Sequence, residues 1–249
     1  ANVAVGQAAF ETNNTGSYNV AIGTSSLNAN TTASNNTAVG YNSLAVNTIG
    51  AGNVAVGYQA ADAITGGSDN VSVGLAALTS DTLGNKSVAI GNYSLAYQNF
   101  TSATNTYNTA VGYQAGNRVT TGVNNTLIGG LAGEDTTTGH SNTMMGQHVG
   151  GDNTTGHSNT FLGFATGNYN VLNTTGLRNV IVGAYSRATA VDADRAMVLG
   201  YDVAGAAGYT TLGSGTSDIR AAHGNVTWAT VSDQRYKKDI VDSTAGLSF

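Results

Sequence analysis

A five-residue pattern of alternating apolar and small residues recurs along the chain. It is Asn-Val-Ala-Val-Gly at residues 2–6 and returns with small changes at 19–23, 36–40, 53–57 and 70–74. The closing glycine recurs at constant spacing from Gly6 to Gly91 and continues to Gly213, with irregular intervals only before Gly112, Gly183 and Gly213. Period-two alternation with β-branched residues predicts a strand, and thirteen copies predict a solenoid of stacked coils.

The rest of each unit indicates how one coil is closed. A second apolar segment follows the glycine, as at 24–28 and 41–45, and predicts a second strand, whereas the remaining Asn, Thr, Gly and Ser residues are typical of turns. The predicted fold class is an all-β parallel β-solenoid, a flattened two-strand roll of about 17 residues per coil. A three-sided β-helix is the rival, but steps of six from Ile22 reach the polar Asn28 and Ser34.

Helices and hairpins are not expected. No apolar stripe of helical period is sustained, glycine is frequent, and the chain contains no Asn-Gly dipeptide, the strongest short hairpin signal. In a parallel coil, equivalent residues stack about 4.8 Å apart. The asparagine that opens each unit is therefore predicted to form a ladder in which each side chain bonds its neighbours above and below, with the members Asn19, Asn36, Asn53 and Asn70.

The central residue of each strand suggests where chains associate. It is alanine or serine in seven units, and we expect it to face away from the flanking Val/Ile pair, so that small side chains allow neighbouring chains to approach closely in a homotrimer. From Leu127 onward this residue is large, while leucine in the second segment is replaced by glycine. The large residues are Leu127, Met144, Phe161, Ile181 and Val198; the glycines are Gly116, Gly133, Gly150 and Gly167. Two packing regimes are predicted, joined at the irregular unit 92–112.

Composition narrows the chemistry. Only 9% of the 249 residues are charged and the net charge is −5, which gives no electrostatic footprint for nucleic acid. There is no cysteine for a disulfide or thiolate metal site, and no apolar run long enough for membrane insertion. Glu11 and Glu134 are the only glutamates, which disfavours a glycan-cleaving enzyme with paired carboxylates. We predict no enzyme activity toward a substrate, no cofactor and no metal site; His140 and His157, in matching phrases, should stack on adjacent coils as surface residues.

The repeats resemble a known family. Several segments resemble the head repeat of trimeric autotransporter adhesins. Examples are Asn-Val-Ala-Val-Gly-Tyr-Gln-Ala at 53–60 and Lys-Ser-Val-Ala-Ile-Gly-Asn-Tyr-Ser-Leu-Ala at 86–96. The resemblance covers residues 2 to about 213. It implies a left-handed parallel β-roll, three chains side by side and a role in surface adhesion. The coil of this chain is longer than that family's usual unit, so extended loops are expected.

A second resemblance is local. Ser-Asp-Gln-Arg-Tyr-Lys-Lys-Asp-Ile at 232–240 is similar to the start of the intramolecular chaperone domain of phage tail spikes and fibres, as in endosialidases. That domain trimerises, assists folding of the preceding β-structure and cuts itself off before the motif serine. The resemblance implies Ser232 as nucleophile, Lys237 as its partner and Val231–Ser232 as the scissile bond. Tyr236 and Asp239 depart from the usual leucine and asparagine.

Together these features predict the organisation and role of the chain. Residues 1–213 are predicted to be a solenoid of thirteen units, 214–231 a connector, and 232–249 the truncated start of the chaperone domain. The predicted function is a structural and host-receptor-binding fibre of a phage virion, matured by chaperone-assisted trimerisation and self-cleavage before Ser232. Its partners would be two further copies and a host cell-surface receptor, with a glycan as one form of receptor. The alternative is the head of a bacterial trimeric surface adhesin.

Overall fold

One short strand recurs in each coil of the structure. The computed structural model describes residues 1–167 and 174–224, and the backbone of 229–230, and within these residues it contains strands and no helix. In chain order the strands are β1 Val3–Val5, β2 Val20–Ile22, β3 Thr37–Val39, β4 Val54–Val56, β5 Val71–Val73, β6 Gly84–Asn85, β7 Val88–Ile90, β8 Thr104–Asn105, β9 Thr109–Val111, β10 Thr126–Ile128, β11 Thr143–Met145, β12 Thr160–Leu162, β13 Val180–Val182, β14 Arg187–Ala188, β15 Met197–Tyr201, β16 Ala204–Gly205, β17 Tyr209–Ser214, β18 Ser217–Ala222 and β19 Ala229–Thr230.

The predicted parallel β-solenoid is confirmed. The long sheet stacks β1, β2, β3, β4, β5, β7, β9, β10, β11, β12, β13, β15 and β17 in chain order, all parallel, which corresponds to about twelve turns. Residues in equivalent places of successive units are paired, as Val20 is with Thr37. The irregular coil pairs Val88 with Thr109, so its extra residues are accommodated without breaking the sheet. The left hand of the coil and the trimer stay predictions.

The central residue of each strand faces the interior, which makes the expected alanine contact face wrong. From β2 to β15 this residue has no exposed surface, whereas the two residues that flank it are partly or fully exposed. Three-residue strands place the first and third side chains on one face and the second on the other. The alanines are inside because the opposite wall of the coil leaves little room for a longer side chain. The Val/Ile pair therefore forms the outside of the sheet.

The exchange of bulk between the two walls is confirmed, but within the core. A Cβ atom added at Gly116 would lie 2.6 Å from Leu127 Cδ1, and one added at Gly167 would lie 2.9 Å from Phe161 Cδ2. In most coils where the central strand residue is small, as at Ala21, the opposite wall carries a large side chain such as the buried Leu27; the coils of Ala55 and Ala110 carry Ala61 and Gly116 there instead. At most levels of the core, one of the two walls thus contributes a large side chain.

The opposite wall is a turn, which corrects the predicted second strand. At residues 24–28, Ser25 and Leu27 have φ values of 57° and 47°, in the left-handed region. Ser26 and Leu27 are both fully buried although they are adjacent, which an extended strand does not permit. The wall is still bonded from coil to coil: Ser25 N donates to Gln7 O at 2.9 Å and Leu27 N donates to Ser43 O at 3.0 Å.

The glycine that ends each strand lets the coils approach. Gly23 has φ of +129°, and a Cβ atom there would lie 2.5 Å from the carbonyl oxygen of Gly40 in the next coil. A side chain at this position would collide with backbone, which explains the regular glycine marker.

The end of the solenoid contains a hairpin, contrary to the expectation of none. Strand β17 pairs in antiparallel fashion with β18, joined through Gly215 at φ 58°, and β19 pairs antiparallel to β18. A glycine in the left-handed region supplies the tight turn without an Asn-Gly dipeptide. Strands β18 and β19 cover β17, the last parallel strand, and they fall within 214–231, the segment predicted as a connector.

The exchange of bulk between the two walls gives a stability prediction. Phe161→Ala should lower the free energy of unfolding by about 3–5 kcal/mol, because Gly150 and Gly167 beside it cannot fill the cavity. Phe164→Ala is the control: Phe164 is exposed and makes one edge-to-face contact with Tyr185, so its loss should cost about 1 kcal/mol. Urea unfolding followed by circular dichroism measures both. Equal losses in the two variants would contradict the packing described here.

Candidate functional site

The outward side of the long sheet is a continuous surface without charge, here called the outer sheet face. It consists of the first and third residues of the three-residue repeat in each of the thirteen parallel strands, in two columns along the axis. The first column is Val3, Val20, Thr37, Val54, Val71, Val88, Thr109, Thr126, Thr143, Thr160, Val180, Met197 and Thr210; the second is Val5, Ile22, Val39, Val56, Val73, Ile90, Val111, Ile128, Met145, Leu162, Val182, Leu199 and Leu212.

The outer sheet face is open to solvent in the single chain. None of its members is buried, and Val56, Ile90 and Leu199 are more than a third exposed. Large contiguous apolar patches on a protein surface mark sites of association. Six of its members are threonines, which add hydroxyl groups to an otherwise apolar, uncharged surface that can pack against another surface of the same kind.

Several charged residues away from the outer sheet face form ion pairs between coils. Arg118 contacts Asp135, Arg178 contacts Asp194 at 2.7 Å, and Arg187 contacts Asp202 at 2.7 Å. The hydrogen bonds and charge of Arg178 hold the pKa of Asp194 below its ordinary value. Exposed pairs of this kind contribute about 0–1 kcal/mol each, so they add little to the stability of the solenoid.

The aromatic and histidine stacks follow the coil repeat. Tyr41 and Tyr58 stack with ring centroids 5.2 Å apart, while Tyr113 is exposed several coils further on. The predicted stack of His140 on His157 is confirmed, with centroids 4.6 Å apart and planes within 7°. In the part of the chain that the structure describes, no three His, Asp or Glu side chains converge as metal ligands, and no helix could cross a membrane.

The asparagine ladder is confirmed in position, with backbone groups as its main partners. Asn36 N donates to Asn19 Oδ1 at 2.9 Å, and Asn36 Nδ2 donates to Gly50 O at 2.9 Å. The same arrangement recurs wherever the unit begins with asparagine: Asn19, Asn36, Asn53, Asn70, Asn108, Asn125, Asn142, Asn159 and Asn179. Each buried amide thus bonds one N–H of the next coil and one carbonyl of the turn, which satisfies polar backbone in the core.

The ladder is interrupted by Ser87, next to the irregular coil, where a buried network replaces it. Gln98 Nε2 donates to Asp81 Oδ2 at 2.6 Å and to Ser87 Oγ at 2.8 Å, and Asn108 Nδ2 donates to Gln98 Oε1 at 2.8 Å. Asp81 Oδ1 also accepts the backbone N–H groups of Gly84 and Phe100, at 3.0 and 3.1 Å.

Asp81 is a carboxyl group in a column otherwise built from neutral residues. Asn30 and Asn47 occupy the same place three and two coils away, and Asp81, like them, has no exposed surface. Burial raises the pKa of Asp81, and its hydrogen bonds oppose the shift. Sequence reasoning missed this group; the signal was the replacement of asparagine by aspartate at an equivalent position of the repeat.

The residues predicted for self-cleavage cannot be placed. Ser232, Lys237 and the Val231–Ser232 bond lie outside the described residues, so the dyad stays a prediction from resemblance. The surface that sequence reasoning assigned to chain contacts was the wrong side of the strand. The exchange between Leu127 and Gly116 was the signal that could have corrected it, because residues that trade volume must share one space.

Asp81 predicts a specific pH dependence. A raised pKa means that the folded chain binds the proton more tightly than the unfolded chain, so the stability contributed by protonation is lost as pH rises through the folded pKa. Asp81→Asn removes this titration. The variant should therefore gain stability relative to wild type as pH increases above about 4, measured as urea midpoints between pH 4 and 8. Other acids cancel in the comparison, and parallel pH curves for the two proteins would rule this out.

Comparison with known proteins identifies no relative: no protein-family model, no curated protein and no solved structure matches the chain.

Proposed function

We propose that this chain is a structural segment of a homotrimeric fibre of a phage virion, which attaches to a receptor on the host cell. The observation that carries the proposal is the uncharged outer sheet face, which runs through all thirteen parallel strands. Large exposed patches with few polar groups mark sites of association, and a second and third copy offer the same two columns at the same spacing.

The geometry of the face favours a parallel arrangement of the copies. Each coil adds one residue to each of the two columns. Copies aligned in the same direction can therefore meet in register over the whole length. Three narrow faces can meet around one axis, which closes the assembly as a ring rather than an open chain. The resemblance of the repeats to trimeric adhesin heads supports three copies.

A fibre role also suits the internal bonding. Coils contact only their neighbours, and the Asn columns and sheet hydrogen bonds run along the axis, so that length can be added without a larger core. The motif at 232–240 supports a virion fibre whose trimer is assembled by a chaperone and then released by self-cleavage. The head of a bacterial surface adhesin is the second candidate, favoured by the repeats alone.

A charge on the outer sheet face should separate the chains. Ile90→Lys would bury an ammonium group at the apolar contact, which is costly without a partner. Ile49→Lys is the matched control, since Ile49 is 65% exposed on another wall whereas Ile90 is 38% exposed on the face. Light scattering should give three times 25.1 kDa for wild type and the control, and 25.1 kDa for Ile90→Lys with its β-signal kept in circular dichroism. A folded wild-type monomer or dimer would contradict the proposal.

Self-cleavage is tested on the full-length gene product. Ser232 Oγ should attack the carbonyl carbon of Val231 while Lys237 takes the hydroxyl proton; the peptide N–C bond breaks, and water then hydrolyses the ester. Intact-mass spectrometry should show a fibre ending at Val231 for wild type and an uncleaved chain for Ser232→Ala and Lys237→Ala. Ser243→Ala, a serine in the same segment, should cleave normally. Cleavage that persists in Ser232→Ala would exclude this mechanism.

A further inference from the structure

A groove lies on the turn wall of the solenoid, opposite the outer sheet face. Its volume is about 300 Å³, which is the lower end of the range for small-ligand sites. It spans three successive coils, and we call it the tyrosine groove. Its main lining residues are Ala76, Ser80, Tyr93, Tyr97, Gln114 and Asn117.

The groove arises from a step in side-chain size between coils. The lower coil contributes the small Ala76 and Ser80, the middle coil contributes Tyr93 and Tyr97, and the upper coil contributes amides. Tyr97 is 59% exposed and Tyr93 is also exposed, although both rings line a concave surface. Large aromatic side chains beside small ones leave a depression with apolar faces in its walls.

The polar groups of the groove have hydrogen-bonding capacity to spare. Asn117 is only 7% exposed, and its Nδ2 donates to Tyr93 O at 3.0 Å, which fixes the amide and leaves Oδ1 without a partner in the described part of the chain. Within the same residues, the Gln114 amide and the Ser80 hydroxyl have no side-chain hydrogen bond. A partly buried amide that is held in place but half satisfied favours a ligand with hydroxyl groups.

The hydroxyl of Thr79, which also lines the groove, is oriented by its neighbour. Thr79 Oγ1 donates to Asp62 Oδ1 at 2.5 Å, so its lone pairs are free to accept a hydrogen bond from a ligand. The groove therefore offers both acceptors and donors, arranged around two aromatic rings.

Charge excludes an ionic ligand. None of the residues that line the tyrosine groove is charged, and the nearest acid, Asp62, lies behind Thr79. Tyr97 also lines a second depression of about 290 Å³, where Arg118 is already paired with Asp135. An anionic sugar would find no unpaired cation, and a cationic ligand would find no open carboxylate.

We propose that the tyrosine groove binds a pyranose unit of a neutral carbohydrate, such as a hexose of a surface polysaccharide. The apolar C–H face of the sugar would stack on Tyr97, and its hydroxyls would bond Asn117 Oδ1, Gln114 and Thr79. Since Tyr97 borders both depressions, a longer saccharide can continue past the ring. The inference rests on the proposed receptor-binding function, and the site stays open when the outer sheet face is covered by other chains.

The test uses the purified full chain on an array of neutral and acidic oligosaccharides, followed by calorimetry with the neutral glycan that binds best. Tyr97→Ala and Gln114→Ala should each weaken binding at least about tenfold, as expected for the loss of one stacking or hydrogen-bond contact of about 1.4 kcal/mol. Tyr18→Ala is the matched control, because Tyr18 is 71% exposed elsewhere on the surface and does not line the groove. It should bind as wild type.

Several outcomes would overturn the proposal. These are binding to no neutral glycan, binding confined to acidic glycans, or equal affinities for wild type and Tyr97→Ala. The fibre proposal is judged separately by the mass of the assembly and by adsorption of labelled protein to host cells. If the trimer adsorbs to cells and Tyr97→Ala adsorbs equally well, the receptor role survives and the tyrosine groove is not its site.

Discussion

The interior of each coil is narrow, and the rest of the structure depends on this limit. Where the turn wall supplies Leu27, the strand supplies Ala21; where the strand supplies Phe161, the turn wall supplies Gly167. The second residue of each strand points into this interior. The valines and isoleucines on either side of it therefore point outward. The narrow core thus leaves these apolar side chains on the outer sheet face, the surface on which the proposed trimer contact rests.

A narrow core also places polar backbone groups close to the interior. The asparagine columns supply hydrogen-bond partners for these groups. A buried amide such as Asn36 accepts an N–H of the next coil and donates to a carbonyl across the coil, so it satisfies two backbone groups that border the interior. At the irregular coil the geometry changes, and Asp81 with Gln98 replaces the simple column. The carboxyl accepts three donors there, where an asparagine would place a donor against the amide of Gln98.

The periodic features were predicted correctly from sequence, whereas the direction of the strand side chains was predicted wrongly. The spacing of Gly23 and Gly40 indicated the parallel coil, and Asn19 with Asn36 indicated the ladder, because both follow from repetition alone. The side of the strand was misjudged because alternation with period two separates two faces but does not say which is inside. The turn at Leu27 was taken for a strand because left-handed φ at a leucine is unfavourable and has no sequence signal.

The two walls of the solenoid differ in how much their surfaces vary from coil to coil. The strand wall carries no charge and repeats without interruption, which suits contact with identical chains. Variation is concentrated on the turn wall, where Ala76, Tyr93 and Gln114 occupy equivalent places in successive coils. The turn wall tolerates this variety at these three places, because the bonds that join them from coil to coil run between backbone groups, as from Tyr93 N to Leu75 O. A groove with its own chemistry can therefore form across three coils while the outer sheet face keeps its pattern along the whole solenoid.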